Sequence, residues 1–209
     1  MIEMLLDRYP QLCVCRQSLE GAVSALIRCY EQGGKLLLAG NGGSCADAEH
    51  IVGELMKGFL CRRPLPKEVR ERMKAACPGL EDSVLEQLQG ALPAVAVSSG
   101  LALNTAFGND VNPDLAFAQA VMGLGRPGDV FMGISTSGNA KNVWTAAEVA
   151  RALGMTVIGL TGEEGGRLRR VADICICAPA NAVYQVQELH LPIYHTLCAA
   201  VEDHFFGRV

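Results

Sequence analysis

The apolar positions of this chain fall into two alternating patterns. Short, nearly continuous apolar runs rich in Val, Ile and Leu stand at Lys35–Ala39, Ala94–Val97, Val130–Ile134, Thr156–Leu160 and Asp173–Ala178. A strand wetted on one side alternates apolar with polar residues. Runs without that alternation belong to strands covered on both faces, the condition of a parallel sheet. Between them lie helix-length segments: Ser44–Leu60, Pro113–Gly123, Asn139–Leu153 and Gly166–Val171. A helical region, Pro10–Gln32, precedes the first strand and ends at Gly33-Gly34, a C-cap signal. A final helix, about Val183–Phe206, follows the last strand. Elements alternating in this order predict an α/β fold with a doubly wound parallel sheet and right-handed crossovers.

One segment breaks the rhythm. It opens with Arg62-Arg63-Pro64-Leu65-Pro66 and runs to the strand at Ala94. Two short helical patterns, Lys67–Ala76 and Glu81–Leu88, are split by Cys77-Pro78-Gly79. This predicts a helical hairpin inserted over residues 61–91. Residues 1–209 are therefore expected to form a single domain, with a helical N-terminal region over 1–33 and that insertion.

Composition narrows the class. Half of the 209 residues are apolar and 19% are charged, enough to bury a full core. A formal charge of −4 argues against a broad nucleic-acid surface. It leaves room for an anionic small molecule, because backbone amides and hydroxyls hold phosphate without a cationic side chain. Met1–Arg8 is amphipathic and lacks the order of an export signal. No apolar run is long enough to span a membrane. The nine cysteines are an odd number and scattered among apolar neighbours, as reduced cytosolic thiols are. Cys13/Cys15 and Cys175/Cys177 have C-x-C spacing, whereas zinc or redox sites use C-x-x-C, so they read as packing thiols.

In parallel α/β sheets ligands bind beyond the carboxyl ends of the strands. After the first strand comes Gly40-Asn41-Gly42-Gly43-Ser44, where glycines permit close backbone approach and Ser44 is placed to cap the next helix. It matches neither a Walker loop nor the dinucleotide fingerprint, and could be a plain tight turn. After the third comes Ser135-Thr136-Ser137-Gly138-Asn139, hydroxyls and amides at a helix start, suited to a neutral phosphate cradle or to ordinary capping. His50 and Glu54 lie at i, i+4 on one helix face, where they could share a metal, a proton or only a surface contact. On the last helix Gln187 and His195, eight apart, can face one site, and His190 is out of phase with His195. His204 reads as surface. Asn109 and Asp110, in a Gly108-Asn109-Asp110 turn, could bond sugar hydroxyls or form an Asx turn before Pro113.

Taken together these motifs resemble phosphoheptose isomerase, within the broader sugar isomerase (SIS) domain class. The resemblance is carried by Gly40–Ser44, Ala46-Asp47-Ala48, His50 with Glu54, Gly108-Asn109-Asp110, Gly125–Val130, Gly133–Asn139, Gly159–Gly162, and Gln187-Glu188 with His195. It runs through most of the chain and is interrupted by residues 61–91. It implies an SIS-type αβα sandwich on a five-stranded parallel sheet, and a cytoplasmic homotetramer with active sites shared between subunits. It also implies interconversion of sedoheptulose 7-phosphate with a heptose 7-phosphate, with no nucleic-acid or membrane partner. By motif matching, His50, Glu54, Gln187 and His195 correspond to the family's set for one Zn2+ per site. Asn41, Gly42, Gly43, Ser44, Asn109, Asp110, Ser135, Thr136, Ser137, Glu54 and Gln187 correspond to its substrate-binding residues.

Such chemistry needs a base for a carbon proton and an acid for the neighbouring oxygen. Glu54 and His195 are the expected pair, acting freely or as zinc-bound groups. Three positions depart from the family pattern: Gly58 for an Arg, Ser99 for an Asp and Ala140 for a Ser. Lys57, Arg62 or Arg63 could replace the missing cation. The alternative reading is a non-catalytic SIS protein that binds a sugar phosphate or a replication-initiator partner. Such proteins tend to lose the acid, base or metal residues, and here all four remain.

Overall fold

A computed structural model describes residues 1–207 of the chain. Five strands form one all-parallel sheet in the order β2-β1-β3-β4-β5. They are β1 Leu36–Gly40, β2 Ala94–Ala96, β3 Val130–Ser135, β4 Thr156–Thr161 and β5 Ile174–Cys177. The helices are α1 Ile2–Arg8, α2 Arg16–Glu31, α3 Gly43–Met56, α4 Lys67–Ala76, α5 Asp82–Gln87, α6 Leu101–Asp110, α7 Ala116–Leu124, α8 Lys141–Ala152, α9 Gly166–Val171 and α10 Val183–Phe206.

Side chains of a strand alternate between faces, and here both faces are apolar. Leu36 and Leu38 of β1, Val130, Met132 and Ile134 of β3, and Ile158 and Leu160 of β4 enter one core with α1, α2, α3 and α10. Leu37, Ala39, Phe131 and Val157 enter a second core with α7, α8 and α9. The result is the expected αβα sandwich. Among the described residues no helix is long and apolar enough to cross a membrane. All nine cysteines are free thiols, and the Sγ atoms of Cys175 and Cys177 stand 3.6 Å apart.

Helix bounds differ from the apolar pattern in four places, each for a local reason. The Pro10–Gln32 and Pro113–Gly123 stretches each begin as a 3-10 turn, Pro10–Cys15 and Pro113–Leu115, with proline in the first turn. α8 starts at Lys141, because Ser137–Asn139 turns on itself first. α3 stops at Met56 rather than Leu60. There Arg63 donates to the carbonyls of Leu55 (2.7 Å) and Glu54 (3.0 Å), and Glu202 accepts the amides of Phe59 (2.8 Å) and Leu60 (2.7 Å).

The insertion is a pair of helices, α4 and α5. Its base is closed by an antiparallel bridge between Pro64 and Gln89 and by the Gly90 amide donating to the Arg63 carbonyl at 2.7 Å. α4 buries no side chain, whereas Arg63 at the base is 1% exposed.

Candidate active site

Strand order reverses direction between β1 and β3, the switch point at which sheets of this order leave a crevice beyond the strand ends. The two loops singled out by sequence both open there. At the end of β1, Gly42 takes φ +53°, a conformation that suits glycine alone, and α3 begins at once with Gly43. This corrects the expected cap: Gly42 holds the N-cap position, and Ser44 is buried inside the first turn at 4% exposure. A side chain at Gly43 would collide with the Gln187 amide, so the absent Cβ brings the start of α10 onto the loop.

At the end of β3, Ser135 is buried, Thr136 half-buried and Ser137 exposed. Ser137 Oγ accepts the Asn139 amide at 3.2 Å, so its hydroxyl serves the loop instead of opening the helix. The two loops are joined by a reciprocal amide pair, each Asn41–Asn142 bond measuring 2.9 Å. Asn142 was not among the residues anticipated; an Asn in a first helical turn carries no signal of such a partner.

α3 and α10 bring three of the anticipated groups together within one chain. His50 Nε2 lies 3.2 Å from Glu54 Oε1 and 3.5 Å from His195 Nε2. The His50 and His195 rings meet edge to face with centroids 4.9 Å apart. On its other side His50 Nδ1 is 2.9 Å from the Tyr194 hydroxyl. Glu54 keeps only 13% of its side-chain surface, and its second oxygen accepts from Lys57 Nζ at 3.0 Å. Burial and the neighbouring His50 push the His195 pKa down, against a smaller upward pull from Glu54. Burial thus favours its neutral form.

His190 turns away, as its phase predicts. It is fully buried, Nε2 lies 3.2 Å from the Thr161 carbonyl oxygen, and burial lowers its pKa to about 4. His204 is at the surface, 3.0 Å from Glu31 Oε1. Asn109 and Asp110 form the last turn of α6 rather than a separate turn, and the Asn109 amide donates to Asp110 Oδ1 at 2.9 Å. The Asx turn falls at Asn112 instead, whose Oδ1 accepts the Asp114 amide. An apolar cleft of about 310 Å³ opens beside His195, walled by Met4, Tyr9, Phe59, Leu60 and Leu191. Arg8, Thr196 and His195 itself supply the polar part of its lining.

The donor chemistry also bears on a metal. Bonds of about 2.0–2.1 Å around a tetrahedral zinc ion set its donors about 3.3–3.4 Å apart. The two edges at His50, 3.2 and 3.5 Å, match that spacing. Among the described residues, however, no group of three His, Cys, Asp or Glu side chains is placed to hold a metal ion as it stands. Two edges of the triangle fit, and Gln187, the remaining residue of the expected set, lies against Gly43 at the start of α3.

Of the cations that could replace the missing Arg, Arg63 is fully engaged: it bonds Glu202 Oε1 at 2.8 Å and two α3 carbonyls. Lys57 is already at Glu54, and Arg62 is exposed. Gly58 itself admits no side chain, since a Cβ there would run into the Cys61 carbonyl.

Residues 14–101 and 84–162 match the SIS domain model. The chain is 40% identical over 182 residues to a phosphoheptose isomerase from Trichlorobacter lovleyi, covering 87% of this chain and 80% of the relative. A phosphoheptose isomerase structure from Francisella tularensis superposes with a TM-score of 0.77 at 30% identity, covering 97% of this chain and 94% of that one. One from Neisseria gonorrhoeae gives a TM-score of 0.70 at 30% identity, over 96% and 98%.

Proposed function

The chain belongs to the phosphoheptose isomerase family of SIS-domain aldose–ketose isomerases, and on that premise we propose that it interconverts sedoheptulose 7-phosphate and D-glycero-D-manno-heptose 7-phosphate through an enediolate. The observation that carries the reading is the meeting of Glu54 and His195 around His50, at 3.2 and 3.5 Å, beside the loops of the switch point.

Glu54 is the base. Its carboxylate is mostly shielded from water, and Lys57 holds one oxygen while the other faces His50. It removes the proton from the carbon next to the carbonyl and returns it to the neighbouring carbon. His195, whose neutral form is favoured by burial, takes the hydroxyl proton and delivers it to the other oxygen. The Asn41–Gly43 turn and Ser135–Ser137 hold the phosphate with amides and hydroxyls, and Asn109 and Asp110 bind sugar hydroxyls from a neighbouring subunit of a homotetramer.

His50, Glu54, Gln187 and His195 would hold one zinc ion. Bound there, its contribution is polarisation of the substrate's carbonyl oxygen. With zinc held there, Glu54 would have to be a loosely bound donor to remain the base for the carbon proton.

The test is aldose formation from a panel of ketose phosphates. Sedoheptulose 7-phosphate should be the best substrate. Glu54→Gln and His195→Ala should each lower kcat by at least about 100-fold while the circular dichroism spectrum is kept. A near-normal rate in either variant would overturn that residue's role. No turnover of any sugar phosphate would overturn the isomerase reading in favour of a non-catalytic binder.

A further inference from the structure

We propose that Tyr194 is a positioning residue that, with Asp47, decides which ring nitrogen of His50 carries the proton and so makes His50 a competent metal donor. The inference rests on the zinc-site reading above and concerns groups that reading does not use.

A neutral imidazole carries one N–H and one bare nitrogen. His50 has a polar neighbour at each. Nε2 faces Glu54 Oε1 and His195 Nε2, and Nδ1 faces the Tyr194 hydroxyl at 2.9 Å. With the proton on Nε2, His50 donates to Glu54 and the Tyr194 O–H donates to Nδ1. That arrangement suits a metal-free site, but no lone pair is offered to an ion. With the proton on Nδ1, His50 donates to the Tyr194 oxygen, and the bare Nε2 points between Glu54 and His195.

Only a group that both donates and accepts supports both arrangements, and a hydroxyl does so. In the second arrangement the Tyr194 proton needs an acceptor of its own. Asp47, on α3 nearly one turn before His50, lies against the Tyr194 hydroxyl. Its Oδ2 is buried with no hydrogen-bond partner among the described residues. Leaving a buried carboxylate oxygen unpaired is unfavourable. Turning the Tyr194 proton onto it removes that penalty as Nε2 becomes available. The proton count is unchanged: the hydroxyl keeps its proton and redirects it from His50 to Asp47. An acceptor behind a metal-bound imidazole also raises its basicity.

Tyr194 is 1% exposed, and its ring packs edge to face on His50 with centroids 5.4 Å apart, so Tyr194→Phe keeps the packing and removes only the hydroxyl. The experiment titrates zinc alone against a chromophoric chelator and reads the His50 ring nitrogens by long-range 1H–15N correlation. In the wild-type protein His50 should carry its proton on Nε2 without zinc and on Nδ1 with it. Tyr194→Phe should bind zinc about 10–100-fold more weakly. Asp47→Ala should also weaken it, and Asp47→Asn less so, since the amide oxygen still accepts. Because the two act in series, the double variant should be no weaker than Tyr194→Phe. Wild-type zinc affinity in Tyr194→Phe, or additive losses in the double variant, would overturn this inference alone. Wild-type protein that binds no zinc would overturn the metal reading and this inference with it. Should a variant fail to fold, the wild-type ring spectra decide: a bare Nδ1 in the zinc-loaded protein overturns the proposal.

Discussion

Removing Arg63 should loosen the helix that carries His50 and Glu54. Arg63 and Glu202 are both fully buried at their side chains and meet at 2.8 Å. Arg63 also donates to the Leu55 and Glu54 carbonyls and stacks over Phe206, its guanidinium carbon 4.5 Å from the ring centroid. Glu202 also accepts the Phe59 and Leu60 amides. Breaking a buried pair by deleting one partner costs about 3–5 kcal/mol, because the other charge stays buried and uncompensated. For a chain of this size that corresponds to roughly 6–20 °C in Tm. Arg63→Ala should therefore show this loss in urea unfolding and calorimetry. Arg63→Met with Glu202→Leu should recover much of it, since an apolar pair of similar volume is often neutral.

The double variant should not recover the rate, because the carbonyls of Glu54 and Leu55 still lack their donor and the last turn of α3 frays. A loss below about 1 kcal/mol for Arg63→Ala would refute the reasoning. So would a double variant with wild-type kcat. Burial by itself would raise the Glu202 pKa, but the Phe59 and Leu60 amides and Arg63 outweigh it and hold the carboxyl below its ordinary 4.5. A carboxylate lowered in the folded state contributes stability that is complete above pH 4.5 and is lost as pH falls through the folded value. The acid limb of the wild-type stability curve should thus flatten in Glu202→Gln.

Gly58→Arg, which restores the family's cation, should destabilise the protein and lower its activity, because the new Cβ meets the Cys61 carbonyl; a gain in kcat/KM for any sugar phosphate would contradict this. Gly43→Ala should displace Gln187 and weaken zinc binding, measured by chelator competition, with little change in Tm; unchanged affinity would separate Gln187 from the metal set. His190, buried neutral with a pKa near 4 against an ordinary 6.5, contributes stability that is complete above pH 6.5. That contribution falls away between pH 6.5 and 4, by about 3 kcal/mol in all, and urea midpoints across that range should lose the slope in His190→Gln.

All five strands were legible to within a residue or two, because a strand covered on both faces must be apolar throughout, as β1 is along its whole length. The His50–Glu54 face and the opposite phases of His190 and His195 followed from helical spacing alone. The end of α3 did not. Its apolar pattern continues to Leu60, and what stops it is Glu202, 142 residues further on. Ser44 looked like a cap because serine favours that position, yet Gly42 was free to take φ +53° and caps the helix two residues sooner. Tyr194 gave no signal, since a buried aromatic in a helix reads as core and its hydroxyl matters only once His50 faces it.

These discrepancies converge on one arrangement. His195 and Glu202 are seven residues apart on α10, two helical turns, and so share a face. His195 meets His50 of α3, and Glu202 reaches the end of the same helix through Arg63. Arg63 stands at the base of the inserted hairpin, where its own carbonyl accepts the Gly90 amide. The insertion thus supplies a clasp that fixes α3 against α10, and the distance between those helices is what holds Glu54, His50 and His195 within reach of one another. The same path explains Gly58: the chain turns there toward Arg63, too tightly for a side chain, so the Arg expected from the family pattern has no room. Clasp and lost cation are thus two consequences of a single re-routed turn.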